Sequence, residues 1–133
     1  MAQLSIDDRV MIADLIARYA RTLDSGDLEG YVNNFAADGV LFGAHTGHDA
    51  IRAYVRTVID RRAADPNRTR HFVGAPTVDG DGERATVHSY LLWIKEGADS
   101  PISEAAEYSD VVVKRDGRWV FQSRTLTRLA GKR

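Results

Sequence analysis

The sequence predicts an α+β fold with three N-terminal helices packed on a curved, mostly antiparallel sheet. Three observations predict it. Apolar residues recur at helical spacing in three segments up to residue 62. From residue 70 onward the pattern alternates with a period of two. Two Asp-Gly turns, at residues 79–82 and 115–118, divide that alternating part into strands. At 133 residues the chain reads as one domain, residues 1–133, long enough to bury a core.

The first helix opens at Ser5 and Asp8, which have the spacing of a capping box. At about 100° per residue, Ile12, Ile16, Tyr19 and Leu23 share one arc. Ala13, Ala17, Ala20 and Asp24 form the neighbouring arc, and Asp14, Arg18, Arg21 and Ser25 lie opposite. Asp24 therefore ends a stripe of alanines at the edge of the apolar face, where a carboxylate is costly unless paired or hydrogen-bonded. Either local backbone satisfies it as the helix ends near Leu23, or a cavity lies beside it. Gly26 suits a left-handed break and Asp27 an N-cap.

Leu28, Tyr31, Val32 and Phe35 give a short second helix. Asp38 and Gly39 are expected to turn the chain into a short strand at 40–42, followed by a loop at 43–47. A third helix over 49–62 rests on Ile51, Tyr54, Val55, Val58 and Ile59, and Asp65, Pro66 and Asn67 end it. Strands follow at 70–73, 84–95, 105–114 and 119–126. In the long strand Arg84, Thr86, His88, Tyr90, Leu92 and Ile94 share one face, opposite Ala85, Val87, Ser89, Leu91 and Trp93. Neither face is cleanly polar. With Val111 and Val113, this predicts that the sheet is covered on both sides, one side by a second copy of the chain. Residues 97–101 read as a loop and 130–133 as a frayed tail.

Composition narrows the function classes. A net charge of −1, with 44% apolar and 28% charged residues, gives no electrostatic case for nucleic acid or a membrane surface. Arg61 and Arg62, and Arg68 and Arg70, flank a loop and are expected to face solvent. With no cysteine there is no disulfide, thiol nucleophile or thiolate metal site. The first residues lack the basic and apolar regions of a secretion signal, and no apolar run approaches a membrane span, so a soluble cytoplasmic protein is expected. There is no phosphate-binding glycine loop and no nucleophile elbow. His45 and His48 stand three apart without a third ligand and read as loop residues, so no metal is expected. His71, in a strand, reads on its own as a half-buried, satisfied histidine, and so does His88. Alternation places Arg124 with Gln122 and Leu126, opposite Phe121 and Ser123, a pattern compatible with the surface.

Residues 17–29 (ARYARTLDSGDLE), 35–40 (FAADGV), 47–51 (GHDAI), 70–74 (RHFVG) and 115–121 (RDGRWVF) together resemble the SnoaL-like branch of the NTF2-like superfamily, in order and over nearly the whole chain. The resemblance implies an NTF2-like cone, with three helices on a curved, mixed, mostly antiparallel sheet. It does not by itself imply one activity, because the scaffold hosts dehydratases, a dehydrochlorinase, an isomerase, polyketide cyclases, oxygenase small subunits and binding domains. In the dehydratase and dehydrochlorinase group an Asp at the end of the first helix pairs with a His in the first long strand. Asp24 and His71 hold those positions here, and Arg124 matches an arginine of the dehydrochlorinase. Other family residues are replaced. The dehydrochlorinase lysine falls at Tyr19, and the second scytalone dehydratase histidine falls at Ile94. That enzyme's strand Ser and Asn fall near Ala106 and Tyr108, and the isomerase's basic Asp falls near Gly43.

A neutral imidazole can accept a proton near neutral pH, and a carboxylate on its other nitrogen orients it and stabilises the imidazolium. The resemblance thus implies a cofactor-independent lyase (dehydratase) or isomerase with Asp24 and His71 as the catalytic pair. Its substrate would be a small apolar cyclic or polyketide-like molecule. Tyr19, Phe35, Phe42, Tyr54, Tyr90, Trp93, Tyr108 and Arg124 are the expected substrate-binding residues, with Tyr19, Tyr108 or Arg124 stabilising an oxyanion. A homodimer is the expected assembly. The rival expectation is a non-catalytic ligand-binding or assembly subunit, such as the small partner of an oxygenase.

Overall fold

The computed structural model describes residues 3–97, 99 and 101–129. Ala98 and Ser100 of the expected loop at 97–101, the expected tail at 130–133, and residues 1 and 2 lie outside the described residues. Helices α1 (Ile6–Ser25), α2 (Leu28–Val32) and α3 (His48–Ala63) pack on a curved sheet of seven strands. The strands are β1 (Phe35–Leu41), β2 (His45–Thr46), β3 (Thr69–Val73), β4 (Thr77–Gly80), β5 (Arg84–Lys95), β6 (Ile102–Arg115) and β7 (Arg118–Arg128). Their order is β2-β1-β7-β6-β5-β3, with β4 also on β5. All pairs are antiparallel except β1 with β7, so the sheet is mixed. Among the described residues no helix is long and apolar enough to cross a membrane.

The capping box forms. Ser5 Oγ accepts the Asp8 N–H at 3.0 Å, and the Asp8 carboxylate accepts the Ser5 N–H in return. Asp8 also reaches the sheet, accepting from Lys114 Nζ at 2.8 Å and Trp119 Nε1 at 2.9 Å. Lys114 first, then Trp119, outweighs burial and holds this carboxyl well below the usual range. One end of α1 is thereby tied to β6 and β7, and the other end, with Asp24, reaches β3.

The expected turn at Asp38–Gly39 is not a turn. Phe35 leaves the second helix for β1, because its ring belongs in the core at 1% exposure. Between the pairs Phe35↔Phe121 and Val40↔Ser123 the strand spends five steps against two on β7, so residues 36–39 arch out of the ladder. Gly39 makes that arch possible: a Cβ there would sit 3.0 Å from both the Ala36 and the Phe121 carbonyl oxygens. The reversal comes after Leu41 instead, where Phe42 (φ 56°) and Gly43 (φ 67°) are both left-handed.

One face of the sheet carries the core. Val87 and Leu91 are fully buried, and Trp93 packs against the same core. Val113 joins Ala36 and Val120 in a small separate cluster. The large apolar side chains that stay exposed on the other face of β3 and β5 are Phe72 and Tyr90.

Candidate active site

The end of α1 decides how Asp24 is satisfied. Gly26 (φ 76°) closes the helix, and the Gly26 and Asp27 amides bond the Leu23 and Thr22 carbonyls. Local backbone therefore has no use for the Asp24 carboxylate, which turns to β3 and α3 instead. Asp24 Oδ1 lies 2.7 Å from His71 Nδ1 and 2.8 Å from Arg62 Nη2, and Oδ2 accepts the His71 backbone N–H at 2.9 Å. Arg62 Nη2 also donates to the Thr69 carbonyl, which fixes it against β3. Burial pushes the Asp24 carboxyl up, but the His71 ring and backbone N–H bonds and the Arg62 bond outweigh it, so it sits below the usual range. Sequence reading left Arg62 in solvent as part of a basic helix end. The signal that could have found it is the need of Asp24 for a cation.

The histidine's other nitrogen is also engaged. His71 and Trp93 are direct cross-strand partners on β3 and β5. Trp93 Nε1 lies 3.2 Å from His71 Nε2. An indole nitrogen can only donate, so Nε2 is the acceptor and the ring proton sits on Nδ1, facing Asp24. This is the tautomer a general base needs. It also means that Nε2 cannot take a proton while it accepts the Trp93 N–H, because the same lone pair serves both.

His71 and Trp93 form part of the wall of a cavity of about 280 Å³ that opens between α1, α3 and the ends of β3, β5, β6 and β7. Tyr19, Tyr31, Phe42, Tyr54 and Tyr108 line its aromatic part, and Tyr31 is a residue the sequence reading missed in this role. Tyr31 Oη donates to Tyr19 Oη at 2.7 Å, which leaves the Tyr19 hydroxyl hydrogen for a ligand. Burial pushes the phenols of Tyr19, Tyr31 and Tyr108 up, so they remain neutral donors.

Arg124 is not on that wall. It is fully buried, with Nε 2.8 Å from Asp110 Oδ1 and Nη2 2.9 Å from Oδ2. Its guanidinium lies 3.6 Å from the Tyr108 ring centroid, 4.2 Å from Tyr19 and 4.4 Å from Phe121. The expected parity fails because β7 holds one extra residue: Val111 pairs Ser123 while Val112 pairs Phe121, so Gln122 bulges. Phe121 and Arg124 then both turn inward. Burial pushes the Arg124 side chain down, but the Asp110 charge and hydrogen bonds outweigh it. Burial lifts Asp110 above the usual carboxylate range despite Arg124. A guanidinium does not lose its proton in a protein, so Arg124 stays a cation. Arg124 touches the cavity through the backs of Tyr19 and Tyr108.

Two other expected lining residues lie elsewhere. Tyr90 is 66% exposed on the outer face of β5, since an odd number of steps separates it from Trp93. Phe35 is buried beneath Tyr19 and Phe121, with ring centroids 6.3 and 5.3 Å away. His45 stacks on Tyr54 at 4.1 Å, His48 Nε2 donates to the Phe35 carbonyl at 2.8 Å, and His88 is exposed on β5.

The SnoaL-like domain family matches residues 4–125 of the chain. Solved structures with the same fold include a Nostoc punctiforme PCC 73102 protein of unknown function with a cystatin-like fold. It is 27% identical over 95% of this chain and 94% of its own, with a TM-score of 0.83. A variant of the Mycobacterium tuberculosis protein Rv3472, of unknown function, is 29% identical over 92% of this chain and 72% of its own, with a TM-score of 0.79. A candidate scytalone dehydratase from Novosphingobium aromaticivorans DSM 12444 is 25% identical over 90% of this chain and 82% of its own, with a TM-score of 0.74. No curated protein matches the chain.

Proposed function

The chain belongs to the SnoaL-like domain family, and on that premise we propose that it is a cofactor-independent acid–base enzyme, a dehydratase-type lyase or an isomerase, for a small, largely apolar cyclic or polyketide-like substrate. The observation that carries the proposal is the 2.7 Å contact of Asp24 with the inner nitrogen of a cavity-lining histidine. The likeness to a candidate scytalone dehydratase supports the dehydratase side. In the proposed step the substrate displaces the Trp93 N–H from His71 Nε2. That nitrogen then takes a proton from the carbon next to a carbonyl. The C–H electron pair becomes the C=C bond of the enolate as the carbonyl π pair moves onto its oxygen, which accepts the Tyr19 hydroxyl, with Tyr108 as the neighbouring donor. The imidazolium, held by ionised Asp24, returns its proton to another carbon, or to a hydroxyl on the β-carbon, whose C–O bond breaks as the enolate pair forms the α,β double bond and restores the carbonyl, releasing water.

The test is deuterium exchange into the α-carbons of 2-tetralone and related cyclic ketones in D2O, followed by NMR. The expected outcome is catalysed exchange that falls by about 10²–10⁴-fold in His71→Ala. Equal exchange in the two proteins would sink the proposal. One observation favours a second reading, in which the protein only binds its ligand: the Trp93 indole occupies the base. Ligand affinity unchanged in His71→Ala, with no exchange in either protein, would select it. The expected homodimer is proposed to use the face that exposes Phe72 and Tyr90. A monomer by sedimentation equilibrium at tens of micromolar would remove it.

A further inference from the structure

A fully buried ion pair contributes little net stability over apolar side chains of the same volume. Arg124 and Asp110, cross-strand partners on β7 and β6, nonetheless sit at 0% side-chain exposure. Arg124 Nη1 has no hydrogen-bond partner among the described residues, which adds to the cost of the pair. What surrounds the guanidinium is aromatic: the rings of Tyr108, Tyr19 and Phe121, whose faces attract a cation. Phe121 belongs to the core, but Tyr19 and Tyr108 also line the cavity. The charge thus lies against the two rings whose hydroxyls are the donors of the proposed enolate step.

A cation held on the face of a phenol ring draws electron density from the ring and from its oxygen, and so strengthens the O–H as a donor. In an interior closed to water this is weakly screened. Asp110 opposes the effect without cancelling it, because the guanidinium is the group in contact with both rings, 3.6 Å from the Tyr108 centroid and 4.2 Å from that of Tyr19. Burial comes first in pushing both phenols up, and among the charges of the sealed pair Arg124, which pulls them down, counts for more than Asp110 at each ring.

We propose that Arg124 is a positioning residue for the inner end of the cavity: without reaching the ligand, its charge strengthens the Tyr19 and Tyr108 hydroxyls from behind, so that this end selects a negative oxygen conjugated to a ring, an enolate or a phenolate, over its neutral form. The proposal deepens the enzyme reading and rests on Tyr19 being the donor in it. An oxygen that gains charge during the reaction then meets donors whose strength is set in advance.

The test uses 4-nitrophenol, whose phenol and phenolate forms differ in absorption, at a pH where the free ligand is neutral. Binding as the phenolate releases the proton to buffer. The expected result is a phenolate band in the complex with the native protein. In the double variant Asp110→Leu with Arg124→Met, which keeps an apolar core, the bound phenolate-to-phenol ratio should fall by about tenfold. The Arg124→Lys variant, which keeps the charge but not the stacked plane, should retain part of it. In a Tyr19→Phe background the double replacement should change the ratio much less, because one of the strengthened donors is gone. A neutral bound ligand in the native protein, no binding at millimolar concentration, the same ratio in native and double variant, or an equal change with and without Tyr19 would each overturn the proposal. His71→Ala separates it from the proton-transfer reading. If the dependence on Arg124 persists there while exchange is lost, both stand. If that dependence disappears with the histidine, the proposal falls alone. If exchange never depended on His71 but the ratio depends on Arg124, only the proton-transfer reading falls.

Discussion

Two carboxylates in this molecule meet cations at nearly the same distance and in very different surroundings. Asp110 and Arg124 are both at 0% side-chain exposure, joined by two parallel bonds and closed in by rings. Asp24 is at 13%, and its partners His71, at 5%, and Arg62, at 19%, line an open cavity. The first pair is sealed and held rigid. The second includes an imidazole with a cavity on its far side. Burial without access fits a support, and burial with one open side fits a site of chemistry.

The largest expected effect breaks the sealed pair. Arg124→Ala leaves Asp110 buried and unpaired and should cost about 3–5 kcal/mol in urea unfolding, enough to threaten a domain of this size. The double variant Asp110→Leu with Arg124→Met should recover most of that, because the pair's own net contribution is small. A single-variant cost under about 1 kcal/mol would mean that water reaches the pair and that the contrast is false.

The next effect is on the open pair. Asp24→Asn should cost less stability, about 1–3 kcal/mol, since it removes hydrogen bonds to a charged group that is partly wet. Its effect on exchange should be larger, about 10²-fold or more, because an amide can hold His71 Nδ1–H only through its oxygen and no longer stabilises the imidazolium. A variant that loses stability but keeps its exchange rate would move Asp24 to the structural side of the comparison.

Trp93→Phe sharpens the same region. Removing the indole N–H frees the His71 lone pair, and one neutral hydrogen bond of about 0.5–1.5 kcal/mol corresponds to a rise in exchange of roughly two- to tenfold. A fall in rate would mean that the indole's contribution to the cavity wall outweighs its hold on the base.

Much of this was legible in the chain. Helices α1 and α3 declare themselves by apolar stripes, and the hairpins by Asp-Gly. Asp24 stood out because it was a charge in the wrong arc. The errors share a physical cause, which is that they depend on register. Leu28, Tyr31 and Phe35 keep helical spacing, yet the last of them belongs to a strand, since tertiary burial overrides local period. The extra residue at Gln122 inverts the side on which Arg124 emerges, and a bulge of this kind has no reliable local signature. Trp93 meets His71 only because β3 and β5 pair in one register out of several. Arg62 was hidden by its neighbour Arg61, because a basic last turn is what any helix end prefers.

The smallest effect is one of sign, and it sets the two carboxylates against each other. Asp24 is held below the usual range in the folded chain, so its contribution is present above its unfolded pKa of about 3.9 and is lost as pH falls through the lower folded value. Asp110 is held above the usual range by burial, so the opposite applies. Its contribution is greatest below about 3.9 and declines as pH rises through the higher folded value. Urea unfolding of the native chain, Asp24→Asn and Asp110→Asn across about pH 3 to 7 separates them, because the asparagines do not titrate. The stability gap between native and Asp24→Asn should narrow on acidification below about pH 4, where the carboxylate is lost. The gap between native and Asp110→Asn should widen as pH falls from neutrality toward about 4, where the buried carboxyl is relieved of its charge. Two gaps that move together would mean that Arg124 outweighs burial at Asp110, and that the sealed pair and the open pair differ in access alone and not in electrostatic character.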